Sequence, residues 1–149
     1  VWVTSSSEHK IERAIEAGAI GGFNYKANDW SKDLVKESGP PNLIIDSAGG
    51  SQYQSLVSLA APGARIVNYG ATTGPPEKLD LFKVFWKQLR LIGSTMGSPD
   101  DFSEMLKFVE RHKIAPMIDS VTPLADGNAA IAKMKASPQF GKYVLEIDL

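Results

Sequence analysis

The first 25 residues, VWVTSSSEHKIERAIEAGAIGGFNY (1–25), predict a strand, a helix and a second strand in succession. Both ends of the stretch are rich in β-branched and aromatic residues, as strands are. In its middle, Ile11 and Ile15 have the spacing of one helix face, while Ser7 and Gly18 are placed to cap the two helix ends. Parallel sheets are built from such units, so this stretch favours an α/β fold.

The same alternation continues along the chain. Its order changes near Thr95, which places a soft domain boundary between residues 1–95 and residues 96–149. The pattern therefore predicts βαβ units and a parallel sheet, followed by a smaller C-terminal segment. Further strands are predicted at 43–46, 65–69, 89–94, 117–121 and 143–147, and further helices at 30–36, 52–60, 78–87, 99–112 and around Ala130, Ile131 and Met134.

Composition is that of a soluble globular protein. Of the 149 residues, 43% are apolar and 22% are charged, and the net charge is −1, so nothing favours nucleic acid or an anionic membrane surface as a partner. No apolar run approaches the length of about 20 residues that a membrane span needs. The absence of cysteine excludes disulfides and thiolate metal ligands within these residues and is compatible with the cytoplasm.

The end of the first predicted strand carries a cluster of hydroxyls, Thr4-Ser5-Ser6-Ser7, followed by Lys10. In dinucleotide-binding folds this position meets the adenosine ribose, where an acidic residue suits the 2′-hydroxyl of NAD and hydroxyls with a cation suit the 2′-phosphate of NADP. The alternative is that the serines only cap the helix and Lys10 is a solvated surface charge.

Small residues also follow the later strands. Asp46-Ser47-Ala48-Gly49-Gly50, Tyr69-Gly70-Ala71 and Gly93-Ser94-Thr95-Met96-Gly97 each come directly after an apolar run. Small residues at the carboxyl ends of parallel strands let a ligand approach the backbone, although a tight turn alone also requires glycine. Several such ends in succession favour a shared ligand crevice.

No catalytic constellation is evident, and the catalytic residues are unknown at this stage. His9 and His112 lie in polar helical stretches, and the acidic pairs Asp100-Asp101 and Asp29-Asp33 are typical of helix N-termini. No residue of the chain supports a zinc site.

Five stretches together resemble the medium-chain dehydrogenase/reductase family, nearest its quinone oxidoreductase and zinc-type alcohol dehydrogenase-like branches. They are TSSSEHKIERAIEAGAIGGFNYK, PNLIIDSAGG, APGARIVNYGATTG, LIGSTMGSPDDF and FGKYVLEIDL, and they cover essentially the whole chain in order. The resemblance implies a partial Rossmann-type doubly wound parallel sheet in residues 1–95 and the C-terminal part of the catalytic domain in residues 96–149.

The resemblance also implies a cofactor site for NADP(H). Residues matching the family's 2′-phosphate contacts are Ser5, Ser6, Lys10 and Tyr25. Those expected to line the rest of the cofactor are Gly49, Gly50, Gly70, Ala71, Gly93, Ser94 and Thr95, with Lys142 expected to reach its phosphates.

The family's glycine-rich loop and first strand are expected before Val1, as is its N-terminal catalytic domain. We therefore expect this chain to be the C-terminal part of a longer enzyme, to leave strand edges unpaired and not to catalyse alone. The implied parent transfers hydride to a small-molecule carbonyl, enone or quinone-type substrate and forms a homo-oligomer through the strand near 89–97. A methyltransferase and a non-catalytic interaction or structural protein with an inherited dinucleotide fold are the competing hypotheses.

Overall fold

The computed structural model describes residues 1–136 and 139–147. Helices and strands alternate, and they divide between two compact units, Val1–Met96 and Gly97–Leu149. The first unit contains β1 Trp2–Ser5, α1 Glu8–Glu16, β2 Gly21–Asn24, α2 Trp30–Ser38, β3 Leu43–Asp46, α3 Tyr53–Leu59, β4 Arg65–Asn68, α4 Leu81–Trp86 and β5 Arg90–Gly93. The second contains α5 Pro99–His112, β6 Ile118–Pro123, α6 Gly127–Met134 and β7 Lys142–Glu146.

Every strand pair within the described residues is parallel. In the first unit β1 pairs with β2, and a second sheet has the order β3-β4-β5. In a doubly wound sheet a further, central strand lies between the positions of β1 and β3. Without that strand, β1-β2 and β3-β4-β5 form two separate sheets. The predicted α/β class with a partial Rossmann-type sheet is confirmed.

Two buried clusters hold the first unit together. Ile66 and Val57 are fully buried and pack β4 against α3. Trp30 and Leu34 on α2 form the second cluster with Leu59 at the end of α3. Because Phe23 of β2 and Ile44 of β3 both pack against this second cluster, it links the two sheets.

One face of the sheet formed by β3, β4 and β5 is not covered. Leu43 and Ile45 are 49% and 59% exposed, whereas Ile44 between them points to the buried clusters. The helix α1 does not cover them, because it packs against β1 and β2, with Ile11 next to Gly22 of the other sheet. Within the described residues β1 pairs only with β2, and β3 pairs only with β4.

In the sequence Phe82, Phe85, Trp86 and Leu89 have the spacing of one helix face and predict an apolar stripe on the helix at 78–87, and the structure differs from this prediction. Phe82, Phe85 and Trp86 lie against one another but are 61%, 62% and 73% exposed, whereas Val84 and Leu89 pack against the core. The helix ends at Trp86, so Leu89 lies beyond it and does not share its face. The three exposed aromatic residues form an apolar surface patch on α4.

The second unit is a pair of parallel strands with two helices. Its longest helix, α5, begins with a capping box in which Ser98 and Asp101 bond reciprocally to each other's backbone N–H. No helix within residues 1–136 and 139–147 has the length and apolar character needed to cross a membrane.

Candidate functional site

The predicted phosphate-binding residues lie where β1 meets α1. Ser5 ends the strand, Ser6 and Ser7 form the turn, and Lys10 lies in the first turn of the helix; all four side chains are half-buried. Ser7 occupies the N-cap position, but its side chain makes no capping bond, and its N–H donates to Oγ of Ser5 at 3.3 Å. The turn therefore brings hydroxyls and a cation to one strand end.

Tyr25 is joined to this turn through the backbone. Its N–H donates to the carbonyl of Ser5 at 3.0 Å, which places the residue after β2 beside the end of β1. Its ring packs against the cluster of Trp30, Leu34 and Leu59, so the side chain contributes to the core.

A contact missed by the sequence reasoning lies at the same strand ends. Nδ2 of Asn24 donates to Oε1 of Glu8 at 2.8 Å, joining the end of β2 to the start of α1. Glu8 places a carboxylate directly after the serines. The sequence TSSSE (4–8) therefore already shows an acidic residue at this turn. The turn therefore carries a carboxylate, held by an amide, two residues before Lys10.

The glycines after β3 and β4 serve contact between two loops. A Cβ atom on Gly49 would lie 2.6 Å from the carbonyl oxygen of Gly74, and one on Gly50 would meet Oγ1 of Thr73. A Cβ atom on Gly70 would lie 2.9 Å from the carbonyl oxygen of Ser47. The contact between the two loops therefore leaves no room for a side chain at these three positions.

Backbone hydrogen bonds join the same loops, which we call loop A (47–50) and loop B (70–74). The N–H groups of Thr72 and Thr73 donate to loop A, and Gly50 donates back to Gly74 at 2.7 Å. Oγ1 of Thr73 also donates to the carbonyl of Ala48 at 2.8 Å. Loops A and B therefore form a single surface at the ends of β3 and β4, and Ala71 is exposed on it.

A buried polar network lies beneath that surface. The carboxylate of Asp46, whose residue is only 9% exposed, accepts hydrogen bonds from the N–H of Gly49 at 2.9 Å and from Nδ2 of Asn68 at 3.0 Å. The N–H of Ala48 donates to its other oxygen at 3.3 Å. The hydroxyl of Tyr53 donates to Oδ1 of Asn68 at 2.8 Å and completes the chain.

Burial raises the pKa of the Tyr53 hydroxyl above its ordinary value, the negative charge of Asp46 raises it further, and the bond to Asn68 acts in the opposite direction. The folded protein therefore holds a proton that the unfolded chain loses near pH of about 10. We expect the free energy of unfolding to fall as pH rises above this value, because the folded state binds more protons there.

Denaturant unfolding from about pH 9 to about pH 11 measures this effect. Tyr53→Phe should make the alkaline loss of stability shallower than in the wild type, whereas Tyr69→Phe, at an exposed position, should not. Parallel curves for the wild type and Tyr53→Phe would contradict the assignment.

The end of β5 is open. Gly93, Ser94 and Thr95 are exposed, and a Cβ atom on Gly93 would meet no atom within 4 Å. The N–H of Ser94 donates to the carbonyl of Asn68 at 2.8 Å, so this strand end continues the surface of loops A and B.

Lys142 lies in the second unit, at the start of β7. Its N–H donates to the carbonyl of Met117 at 2.8 Å, and its residue is exposed. Gly141 before it has a φ of +112°, and a Cβ atom there would clash with the same carbonyl oxygen. The turn that carries Lys142 therefore requires glycine.

The described residues contain no group of three or more His, Cys, Asp or Glu able to hold a metal ion. Nor do the two histidines form a catalytic cluster there. Nδ1 of the exposed His9 lies 4.0 Å from Glu12, and the His112 ring lies against Phe108.

Comparison with known proteins gives a consistent set of relatives. The sequence model of a family described as zinc-binding dehydrogenase matches residues 1–111. The zinc-type alcohol dehydrogenase-like protein YogA of Leptosphaeria maculans is 36% identical over 157 residues, which cover 99% of this chain and 44% of that protein. The quinone oxidoreductase-like protein 2 of Bos taurus is 28% identical, and the match covers 99% of this chain and 45% of that protein.

The fold has a close counterpart among solved structures. The crystal structure of an NAD-dependent alcohol dehydrogenase superposes with a TM-score of 0.89 at 32% identity, covering 99% of this chain and 44% of that one. The chain thus spans less than half the length of these relatives.

Proposed function

Since the chain belongs to the zinc-binding dehydrogenase family, within the medium-chain dehydrogenases and reductases, we propose that its natural protein is an oxidoreductase. In this proposal it transfers hydride between NADP(H) and a small-molecule carbonyl, enone or quinone-type substrate. Residues 1–95 serve as part of the dinucleotide-binding domain, and residues 96–149 as the C-terminal part of the catalytic domain. The observation that carries the proposal is the turn after β1, where Ser5, Ser6 and Lys10 come together.

The preference for NADP(H) follows from charge at this turn. A 2′-phosphate requires hydrogen-bond donors and a cation, which the two serines and Lys10 supply, and Ser5 ends the strand at the position where NAD-binding folds place an acid. The carboxylate of Glu8 opposes this preference, although it already accepts a bond from Asn24. The solved relative with a TM-score of 0.89 is NAD-dependent, so the choice between the two cofactors is the point to test.

The remaining strand ends suit the rest of a dinucleotide. Loops A and B offer a surface of small residues, and Gly93 leaves space beside Ser94 and Thr95. That Lys142 reaches the cofactor phosphates stays a prediction of the family resemblance. A bound nicotinamide cofactor supplies the hydride, and these residues bind and orient it.

The matching family is described as zinc-binding, so the next question is whether residues of this chain could ligate zinc. The described residues hold no cluster able to ligate it, and the sequence has no cysteine. No step involving zinc is therefore assigned to these residues. We place the reaction in the cytoplasm, a reducing compartment with which a cysteine-free chain is compatible.

Direct titration of the natural protein with NADPH and NADH tests the proposal. We expect saturable binding of NADPH, tighter than that of NADH, and oxidation of NADPH when a carbonyl, enone or quinone acceptor is added. Binding of neither dinucleotide would contradict the function. Binding with no turnover on any of these acceptors would favour a non-catalytic protein that retains the fold.

We also propose that the natural protein forms a homo-oligomer through β5. This strand lies at the edge of its sheet, and Leu91 and Ile92 on it are 38% and 39% exposed. An exposed apolar edge strand pairs readily with another chain.

Analytical ultracentrifugation of the natural protein should therefore give a species larger than a monomer. Ile92→Lys should weaken association by roughly tenfold or more, about 1.4 kcal/mol, because a charge on the edge opposes pairing. Ile20→Lys, at an exposed isoleucine beside the other sheet, should have no such effect. A monomeric wild type would contradict the proposal.

A further inference from the structure

We propose that Asp46, Asn68 and Tyr53 are positioning residues that fix loops A and B for dinucleotide binding. The three side chains form one hydrogen-bonded chain, from the N–H groups of Ala48 and Gly49, through the carboxylate and the amide, to the hydroxyl of Tyr53. This role rests on the proposed function, since it concerns how that cofactor site is held in shape.

The placement of the network supports the role. Asp46 ends β3 immediately before loop A, and Tyr53 begins α3 three residues after that loop. Asn68 ends β4 two residues before loop B. Asp46 and Tyr53 therefore flank loop A, and Asn68 precedes loop B. Because Asn68 is hydrogen-bonded to both Asp46 and Tyr53, a movement of one loop away from the other must break one of these bonds.

The chemistry of the network favours a role in orienting the peptide units of loop A over a role in packing alone. A buried carboxylate is costly unless its hydrogen bonds are satisfied, and apolar side chains of similar volume would fill the same space without that cost. Asp46 accepts three bonds, two of which come from N–H groups of loop A itself. Those bonds fix the orientation of the peptide units in a turn where Gly49 and Gly50 have φ of +67° and +63°.

Polar contacts also extend the network to the third strand end. The carbonyl of Asn68 accepts a bond from the N–H of Ser94 at 2.8 Å, while its side chain bonds to Asp46 and Tyr53. Asn68 therefore connects the ends of β3, β4 and β5. A residue with contacts to all three ends is well placed to keep a ligand surface continuous.

Three variants of the natural protein test the role, with NADPH and NADH as the ligands. Asp46→Ala leaves the N–H groups of Ala48 and Gly49 without their acceptor, and we expect the Kd of both dinucleotides to rise by the same factor, roughly tenfold or more. Asp46→Asn should stay within about threefold of the wild type, because its amide oxygen can still accept from Gly49 and Asn68 and only the longest bond, at 3.3 Å from the N–H of Ala48, loses its acceptor. Tyr53→Phe, which removes only the last donor, should fall between them.

Binding is measured at least about 15 °C below each unfolding midpoint, with folding checked by circular dichroism, so that lost stability alone does not change the Kd. Ser58→Ala on the same helix removes a hydrogen-bonded hydroxyl away from the loops and should leave both Kd values unchanged. If Asp46→Ala does not fold, Tyr53→Phe carries the test.

Unchanged Kd values in folded Asp46→Ala or Tyr53→Phe would overturn the positioning role while leaving the proposed function intact. An Asp46→Asn variant as weak as Asp46→Ala would also overturn it, because the bonds from Gly49 and Asn68, which asparagine can still accept, would then not be what fixes the loops. A wild type that binds neither dinucleotide would overturn both the role and the proposed function.

Discussion

Gly49→Ala is expected to lower the free energy of unfolding by about 2–4 kcal/mol, because two separate penalties act at this position. Gly49 has a φ of +67°, a conformation that alanine adopts only with strain. Its new Cβ atom would also lie 2.6 Å from the carbonyl oxygen of Gly74, and a backbone oxygen cannot rotate away as a side chain can. Loop A and loop B would have to separate.

Gly63→Ala is the matched control for this prediction. Gly63 has a φ of +75°, but no atom lies within 4 Å of the position its Cβ atom would take. It therefore carries the backbone penalty alone, about 1–2 kcal/mol. Chemical denaturation of both variants separates the two penalties, and equal losses would show that the contact between the loops contributes nothing measurable.

The boundaries of α5 show when local sequence is enough to predict structure. The predicted range 99–112 and the observed helix Pro99–His112 agree, because Ser98, Pro99 and Asp101 fix the start through local hydrogen bonds and proline geometry. The strand at 43–46 was equally clear, since a short apolar run is bounded by turn residues on both sides.

The face of α4 shows when local sequence is not enough. Phe82, Phe85 and Trp86 have the periodicity of a buried stripe, yet they are exposed among the described residues, and Val84 contacts the core. Periodicity identifies an apolar face but not the element that covers it. That information lies in tertiary contacts, which a single helix does not encode.

The candidate site likewise has some features that local sequence predicts and others that depend on tertiary contacts. The strand ends that carry Ser5, Gly49, Gly70 and Gly93 could be located from the sequence, because parallel strands place their carboxyl ends in predictable positions. The reason for the glycines could not, since the atoms that exclude a side chain at Gly49 belong to a loop 25 residues away.

The polar network was missed for a related reason. Asp46 and Asn68 each end an apolar strand, which was the available signal, but their hydrogen bond joins residues 22 positions apart. Only the parallel register, in which Asp46 lies opposite Asn68, makes them neighbours.

Lys10→Ala is expected to weaken NADPH binding by the natural protein by about tenfold to a hundredfold. A hydrogen bond to a charged group contributes about 1.5–3 kcal/mol, and the 2′-phosphate would lose its cation while keeping the hydroxyls of Ser5 and Ser6. NADH lacks that phosphate, so its Kd should change little. Titration of both cofactors against the wild type and the variant measures the difference directly.

The ratio of the two Kd values distinguishes Lys10 from the network beneath the loops. Asp46→Ala should weaken NADPH and NADH together, because in the proposed site loops A and B bind parts that both cofactors share, whereas Lys10→Ala should change only the preference between them. Lys36→Ala removes the same charge from the exposed surface of α2 and should change neither value. Equal losses of NADPH and NADH in Lys10→Ala would show that this lysine supports the fold rather than binding the phosphate, and a wild type that prefers NADH would contradict the NADP assignment itself.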